Sequence, residues 1–207
     1  MNYSFIFDIG GVLVDFDLSI AIRRLEKFSP FGGEEIRGKI FDQNIDGRNL
    51  FVDYETGIVG SSEFFEQVKQ RTCLDMDYED FARDWSDIFT ENTKISHFLE
   101  SIKDDPKVIV SNISPLHWES LSKYYNIDNF FTESEIIKSY EVGLRKPDFR
   151  IFEMAKKILP ADTEIIYFDD SEENVNAASE LGIRGIKYDC RDSDIDKIVN
   201  ELIYLKG

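Results

Sequence analysis

Six polar residues of this chain could do chemistry, because they stand where apolar runs end or in one short loop. They are Asp8, Ser111, Asn112, Lys146, Asp169 and Asp170. An apolar run that ends abruptly in a polar side chain is typical of a buried strand and the first residue after it. Ligands of open parallel α/β sheets bind just beyond the carboxyl ends of the strands. If the runs are parallel strands, these side chains converge on one edge of one sheet.

Such a cluster has the chemistry of a cation site and a phosphate site. Its three carboxylates would repel one another unless a cation lay among them, and a site of oxygen ligands suits Mg²⁺. The remaining groups are the hydroxyl of Ser111, the side-chain amide of Asn112, the ammonium of Lys146 and backbone N–H groups. These are the donors that a phosphate dianion needs. A carboxylate beside Mg²⁺ and a bound phosphoryl group is a candidate nucleophile that would form an aspartyl-phosphate.

Strand and helix signals alternate from residue 93 onward, and these elements would position the cluster. Together with residues 2–9, the predicted strands are residues 107–110, 135–138, 164–168 and 184–188. Helices are predicted between them, one opened by Ser114 and Pro115 and another closed by Gly182. A last helix is predicted over residues 195–205. This alternation predicts a doubly wound, Rossmann-like parallel α/β sheet.

The region between the first strand and residue 93 has a helical pattern instead. Asp17 and Asp77 stand where N-caps are expected. The apolar residues that recur there at helical spacing are Phe64, Phe65, Val68, Phe81, Trp85, Ile88 and Phe89. Such a stripe is typical of the packing face of a small helical bundle. We therefore expect residues 1–14 and 93–207 to form an α/β core, and residues 15–92 to form an inserted all-helical domain.

The composition restricts the class of protein and its partners. The 207 residues are 42% hydrophobic and 31% charged, as in globular proteins, and their net charge of −17 would repel nucleic acid and anionic membranes. No secretory signal and no apolar run of spanning length is present, so we expect a cytoplasmic protein without membrane contact. Cys73 and Cys190 are too few for a disulfide framework, and His97 and His117 are too few for a histidine-rich metal site.

The four motifs, in this order, resemble those of the haloacid dehalogenase superfamily of phosphatases. They are residues 7–13, 110–112, 143–148 and 168–174. The match covers nearly the full chain, and the helical insert resembles that superfamily's helical cap of the first type. The Asp-x-Gly, Ser-Asn and Arg-Lys-Pro sequences within the first three motifs are most similar to those of bacterial α-D-glucose-1-phosphate phosphatases.

The resemblance implies a role for each member of the cluster. Asp8 is the implied nucleophile, and Ser111 and Lys146 are implied to hold the phosphate with the assistance of Asn112. The implied Mg²⁺ ligands are Asp8, the backbone carbonyl of Gly10, and Asp169 or Asp170. The expected activity is that of a Mg²⁺-dependent phosphoric monoester hydrolase. Its substrate would be a small phosphorylated metabolite, in particular a sugar phosphate such as an aldose 1-phosphate.

Gly10 departs from the pattern of that superfamily. Most of its phosphatases carry a second Asp two residues after the nucleophile, which acts first as general acid and then as base. Loss of such a group typically costs ~10²–10⁴-fold in rate. A site without it should favour leaving groups that need no proton, which motivates the hypothesis of a sugar 1-phosphate substrate. Faster turnover of an ordinary alkyl phosphate such as glycerol phosphate would contradict this hypothesis.

Other residues could supply the missing proton or select the substrate. Asp15, Asp17 or a residue of the insert could act as the acid, although both aspartates fit better as helix-entry residues. Arg48, Asn49 and Glu55 lie near the third predicted helix of the insert and could face a sugar. For each of these three, solvated surface is the interpretation that we favour.

Two other functions compete with the phosphatase. The first is a metal-independent haloacid dehalogenase, against which the acidic pair Asp169 and Asp170 argues because that pair favours a cation. The second is a catalytically inert module that binds a phosphorylated ligand, since the usual acid is missing at Gly10. Binding of Mg²⁺ separates the dehalogenase from the other two, and turnover separates the inert module.

Overall fold

The computed structural model describes residues 2–42, 44–45, 47–195 and 197–198, and a five-stranded parallel sheet forms its centre. The strands are β1 (Tyr3–Phe7), β2 (Val14–Phe16), β3 (Asn44–Ile45), β4 (Arg48–Asn49), β5 (Phe89–Glu91), β6 (Lys107–Ser111), β7 (Ile136–Lys138), β8 (Glu164–Asp169) and β9 (Arg184–Lys187). The helices are α1 (Leu18–Leu25), α2 (Gly33–Arg37), α3 (Leu50–Glu55), α4 (Ser61–Thr72), α5 (Tyr78–Ser86), α6 (Thr93–Ser101), α7 (Pro115–Tyr124), α8 (Ser139–Val142), α9 (Phe149–Ile158) and α10 (Glu172–Glu180). A π-helical turn (Gly38–Asp42) follows α2, and short 3₁₀ turns span Glu26–Phe28, Ile127–Asn129 and Glu133–Glu135.

The central sheet has the order β7-β6-β1-β8-β9, with all its strands parallel. This confirms the prediction of a doubly wound α/β fold. The first strand, β1, occupies the centre, and all five of its residues are buried. Burial on both faces explains why this strand is a nearly continuous run of apolar and aromatic residues.

Each face of the sheet packs against helices in a hydrophobic core of its own. Residues of β1 alternate between the two cores, with Phe5 and Phe7 in one and Ile6 in the other. The first core includes Phe98 of α6, and the second includes Phe152 of α9. Because β1 is held from both sides and by two neighbouring strands, the residue that follows it has a fixed position.

The insert between β2 and β5 builds a third hydrophobic core from α1 to α5. Phe64, Phe81 and Trp85, which the helical spacing placed on a packing face, are fully buried in it. The insert is not entirely helical, however, since β3 pairs with β4 and β2 pairs with β5, both antiparallel. The helical spacing that included Phe89 does not continue that far. The helix α5 ends at Ser86, because the chain must return to the core and Phe89 pairs with Phe16 of the outgoing segment.

Several contacts fix the insert against the core next to the carboxyl edge of the sheet. The backbone N–H of Leu116 donates to the Tyr54 hydroxyl at 3.2 Å, and Leu116 belongs to the hydrophobic core of the insert. The Ser139 hydroxyl donates to the carbonyl oxygen of Glu55 at 2.6 Å. The ring of His117 stacks on Trp85 with the centroids 5.8 Å apart. The insert therefore covers the edge at which the predicted site lies.

Asp17 and Asp77 stand at the N-caps of α1 and α5, as expected, and each side chain accepts a hydrogen bond from a backbone N–H of the first turn. Asp148, which was not predicted as a cap, does the same for α9. Ser114 is the N-cap residue of α7 but makes no side-chain capping bond. The predicted last helix lies mostly outside the described residues. In the part of the chain that the structure describes, no helix is both long and apolar enough to cross a membrane.

Candidate active site

Three of the predicted residues meet at the carboxyl edge of the sheet because their strands are neighbours. Asp8 directly follows β1, Ser111 is the last residue of β6, and Asp169 is the last residue of β8. The register aligns Phe7 with Ile109 on one side and with Phe168 on the other. Parallel pairing in this register brings the three strand ends to one level, as the sequence predicted.

Lys146 reaches the same point from the loop between α8 and α9. Its Nζ lies 2.8 Å from Oδ1 of Asp8 and 2.7 Å from Oδ2 of Asp169, and its side chain is fully buried. The side chain of Asn112 fixes the loop, donating to the Lys146 carbonyl at 2.9 Å and accepting from the Lys146 N–H at 2.7 Å. The amide of Asn112 therefore orients Lys146, and sequence reasoning did not foresee this use of it.

The charges of this cluster depend strongly on one another. Burial alone would lower the pKa of Lys146, but the carboxylates of Asp8 and Asp169 raise it above its ordinary value. Burial acts to raise the pKa of Asp169, yet Lys146 and the other donors hold it below the ordinary value. For Asp8, burial dominates and raises the pKa in spite of Lys146. One buried cation thus faces more negative charge than it can balance.

A second cation would balance that charge, and the carboxylates are arranged to hold one. Asp8, Asp169 and Asp170 each offer a ligand atom, and these atoms lie within 4.8 Å of one another. All the donors are oxygens, which is the set that Mg²⁺ prefers over softer metals. The residues present therefore fit Mg²⁺.

The two adjacent acids differ in how free their oxygens are. Asp169 accepts hydrogen bonds from the Lys146 ammonium, the Tyr167 hydroxyl, the Ser171 N–H and the Asn174 amide. Asp170 is half-buried and lines the cavity described below, with its pKa raised by burial and then by Asp169. The geometry leaves Asp170 better placed than Asp169 to give an oxygen to a metal.

The space beside Gly10, where the usual acid of the superfamily would project, is filled by an aromatic ring. A Cβ atom built on Gly10 would lie 3.0 Å from two ring carbons of Phe16. Both aspartates named above as alternative acids are occupied elsewhere. Asp15 accepts from Nε of Arg191 at 2.8 Å, and Asp17 caps α1. Neither lines the cavity at Asp8, so this geometry does not support either as a proton donor.

A cavity of about 240 Å³ lies between the core and the insert, directly over Asp8. Its apolar lining residues are Ile9, Phe16, Leu18, Phe51, Ile88, Phe89 and Ile113, and the others are Asp8, Gly10, Glu55, Ser111, Asn112, His117 and Asp170. A volume just below the range of drug-sized pockets suits a compact metabolite. Most of the insert's contribution to the wall is apolar.

Glu55 is the acidic group that the insert contributes to this cavity, and the expectation of a solvated Glu55 is wrong. Its residue exposure is 6%, and its Oε2 lies 3.0 Å from a terminal nitrogen of Arg145. Burial raises the pKa of Glu55 to about 7 against the attraction of Arg145 and Lys146. One sequence signal existed: Glu55 follows Phe51 by four residues, so both lie on one face of a helix. That spacing could not tell which face meets the core.

The other polar residues singled out near α3 lie away from the cavity. Arg48 is exposed and pairs with Asp53 at 2.8 Å. Asn49 caps α3, since its side chain accepts from the Val52 N–H at 3.0 Å. His117 does line the cavity, but burial lowers its pKa to about 4, so its ring is uncharged near neutral pH.

Comparison with known sequences identifies relatives of this chain. The model of the haloacid dehalogenase-like hydrolases matches residues 4–182. The chain is 24% identical over 191 residues to the D-ribitol-5-phosphate phosphatase of Bacteroides thetaiotaomicron, covering 88% of this chain and 89% of that protein. It is 25% identical over 213 residues to the drimenol cyclase drtB of Aspergillus calidoustus, covering 97% of this chain but only 36% of that longer protein.

Comparison with solved structures agrees with the fold. One similar structure is a haloacid dehalogenase family enzyme of Bacteroides thetaiotaomicron in complex with magnesium and inorganic phosphate, with a TM-score of 0.78, 22% identity and coverage of 94% of this chain and 97% of that one. Another is the L-2-haloacid dehalogenase of Xanthobacter autotrophicus, with a TM-score of 0.61, 18% identity and coverage of 89% and 76%. From its sequence match and its fold, this chain belongs to the haloacid dehalogenase-like hydrolases.

Proposed function

We propose that this protein is a Mg²⁺-dependent phosphatase that hydrolyses a small phosphorylated metabolite, a sugar or polyol phosphate, through an aspartyl-phosphate on Asp8. The observation that carries the proposal is the meeting of Asp8 and Asp170 at the floor of one small cavity, with the buried ammonium of Lys146 in contact with Asp8. A nucleophilic carboxylate, an ammonium and a second carboxylate for a metal are the groups that phosphoryl transfer requires.

The residues of the cluster divide the work between them. Among the described residues, both polar contacts to the Asp8 side chain use Oδ1, which accepts from Lys146 and from the Ile9 N–H, so Oδ2 stays available for attack on phosphorus. Lys146 and Ser111 would hold the phosphate oxygens. Asp8, Asp170 and the carbonyl of Gly10 would hold Mg²⁺, and Asp169 would orient Lys146 and share in the metal site. When bound, Mg²⁺ supplies positive charge that neutralises the phosphoryl oxygens.

The substrate class follows from the cavity and from the relatives. A cavity of about 240 Å³ suits a compact ligand, and its aromatic wall suits the carbon face of a sugar or polyol. The similarity to a D-ribitol-5-phosphate phosphatase supports a phosphorylated polyol, although that activity belongs to the relative. The resemblance to the α-D-glucose-1-phosphate phosphatases, which favours an aldose 1-phosphate, stays a prediction.

We also propose that residues 15–92 act as a cap over a core formed by residues 1–14 and 93–207. The cap would close over the substrate and keep bulk water from the phosphorylated Asp8. In this arrangement the core supplies the phosphate chemistry, while the cap selects the rest of the substrate. A cytoplasmic setting would agree with the acidic composition.

The test is phosphate release with and without Mg²⁺ from a panel of phosphate esters. The panel contains p-nitrophenyl phosphate, α- and β-glucose 1-phosphate, glucose 6-phosphate, D-ribitol 5-phosphate and glycerol phosphate, and Asp8→Asn is the control variant. We expect Mg²⁺-dependent turnover that Asp8→Asn abolishes. Metal-independent release of chloride from 2-chloropropionate would favour the dehalogenase instead. Absence of turnover, even of p-nitrophenyl phosphate, would favour an inert binding module.

A further inference from the structure

We propose that Glu55, delivered by the insert, is the general acid and base that replaces the side chain missing at Gly10. The inference rests on the proposed phosphatase function and adds a catalytic residue to it. Phe16 occupies the space beside Gly10, so the proton must come from elsewhere in the cavity. Among the described residues, the cavity wall opposite the core contains one carboxyl group, that of Glu55.

Glu55 is held in a defined position over the site. It is the last residue of α3, and its carbonyl oxygen accepts from the Ser139 hydroxyl of the core at 2.6 Å. Two residues later the chain passes so close to the core that a Cβ built on Gly57 would lie 2.1 Å from the carbonyl oxygen of Tyr140. These contacts hold the end of α3 against the core. They thereby also fix the position of the Glu55 carboxyl, which lines the same cavity as Asp8.

The carboxyl of Glu55 is buried, but its hydrogen-bonding capacity is not filled by donors of the protein. Its Oε2 lies 3.0 Å from Arg145, yet this contact lacks the geometry of a hydrogen bond, and Oε2 has no hydrogen-bond partner among the residues that the structure describes. Asp169, by contrast, accepts four hydrogen bonds within the protein. A buried polar atom that makes no hydrogen bond is unfavourable, even beside an opposite charge. The arrangement is what is expected of a group whose remaining partner is a ligand.

The charge state of Glu55 suits both directions of proton transfer. Burial raises its pKa to about 7, while Arg145 and Lys146, the cations that act on it, pull the pKa down. A group whose pKa lies near the operating pH serves best as an acid in one step and a base in the next. The other titratable groups of the cavity are Asp8, Asp170 and His117. The first two have other roles, and His117 is uncharged near neutral pH.

The two half-reactions then balance through one proton. In the first, Oδ2 of Asp8 forms a bond to phosphorus, the ester P–O bond breaks, and protonated Glu55 gives its proton to the leaving oxygen, releasing the alcohol. Arg145 stabilises the carboxylate that Glu55 becomes. In the second, Glu55 takes a proton from water while the water oxygen bonds to phosphorus, the bond from Asp8 to phosphorus breaks, and inorganic phosphate leaves. Glu55 ends protonated, as it began.

This role predicts a dependence on the leaving group that a binding role does not. The alcohol of glycerol phosphate needs a proton in order to leave, whereas p-nitrophenolate leaves without one. In Glu55→Gln, kcat/KM for glycerol phosphate should fall ~10²–10⁴-fold. The loss for p-nitrophenyl phosphate should be at least ~10-fold smaller, since proton donation contributes little to that first step. The alkaline limb near pH 7 in kcat/KM for glycerol phosphate should also disappear in the variant.

The controls separate this assignment from the proposed function. Glu66→Gln makes the same chemical change at an exposed position of α4 in the insert and should leave both esters at wild-type rates. Residual turnover of p-nitrophenyl phosphate by Glu55→Gln shows that the variant is folded. If that variant does not fold, Glu55→Asp replaces it, and its kcat/KM for glycerol phosphate should keep the alkaline limb.

Equal losses for the two esters in a folded Glu55→Gln would mean that Glu55 binds substrate or supports the fold, and would overturn the assignment. Loss of the alkaline limb in Glu55→Asp would overturn it as well. A wild-type protein that hydrolyses neither ester would overturn the proposed phosphatase function, and this assignment with it.

Discussion

Substitution of Gly11 by alanine should weaken the metal site through Asp170. The backbone of Gly11 has φ of +73°, and a Cβ built on it would lie 2.6 Å from Oδ2 and 2.7 Å from Cγ of Asp170. Ordinary van der Waals contact begins at 3.4 Å, so the carboxylate oxygen must retreat by about 0.8 Å. Mg²⁺ demands near-ideal octahedral geometry with ligands at roughly 2.0–2.1 Å. A displacement of that size takes Asp170 out of coordination range.

Two effects of Gly11→Ala must be separated, and Gly182 offers the matched control. Gly182 has φ of +75°, but no atom of the described residues lies within 4 Å of a built Cβ, so Gly182→Ala carries the backbone penalty alone. A left-handed backbone at a non-glycine residue costs about 1–2 kcal/mol, and both variants should lose stability by that amount. Gly11→Ala should in addition bind Mg²⁺ ~10–100-fold more weakly, the usual effect of disturbing a metal ligand's support.

The assays are calorimetric titration with Mg²⁺ and urea unfolding in EDTA. The urea curves give the backbone penalty without metal, and the titration gives the Mg²⁺ dissociation constant directly, independent of turnover. Equal Mg²⁺ affinities for Gly11→Ala and Gly182→Ala would refute the reasoning, because they would mean that Asp170 can move without loss of a ligand. In that case Asp169, despite its four donors, would be the better candidate.

Two further predictions concern the buried charges. Lys146→Met removes the cation between Asp8 and Asp169, so the free energy of unfolding in EDTA should fall by about 3–5 kcal/mol. Saturating Mg²⁺ should recover part of that loss. If urea unfolding gives the same loss of free energy with and without Mg²⁺, the prediction is wrong. Burial raises the pKa of Glu55 from 4.5 to about 7. The folded protein therefore retains a proton there that the unfolded chain releases, and stability from this group falls by up to ~3 kcal/mol as pH rises from 4.5 to 7. Urea unfolding of Glu55→Gln between pH 5 and 8 should show a shallower decline than the wild type, and parallel curves would count against the raised pKa.

The cluster at the sheet edge could be predicted because each member depends on local sequence. Asp8, Ser111 and Asp169 come at the ends of apolar strands, and the parallel arrangement of strands brings strand ends together whatever the details of the packing. The position of Lys146 was harder to predict, since the end of a strand does not fix the place of a loop residue. Its position depends on the clamp by Asn112, which lies 34 residues away in the sequence. No local pattern encodes such a pairing.

The insert was harder to predict, because its details depend on how it meets the core. Phe89 follows Trp85 by four residues and fits a helix on spacing alone, but pairing with Phe16 carries the chain back to the core. Glu55 presents the same difficulty in a different form. A glutamate at the end of a six-residue helix is on the surface unless another surface covers it. Here the covering surface is the core itself, through Ser139 and Arg145.

The separation of nucleophile and acid between core and insert has a mechanistic consequence. An acid two residues after Asp8 would belong to the same rigid turn as the nucleophile and would stay in place whether or not the insert covered the site. Under the proposed mechanism, Glu55 reaches the site only while the insert sits on the core, held there by contacts such as the hydrogen bond from Ser139 to the Glu55 carbonyl. Under the proposed mechanism, closure therefore excludes water and completes the catalytic set in the same movement. An open molecule would then retain Asp8, Lys146 and the metal site but would lack the proton donor. Alkyl esters, whose leaving group needs a proton, would therefore be hydrolysed only after the insert has enclosed them.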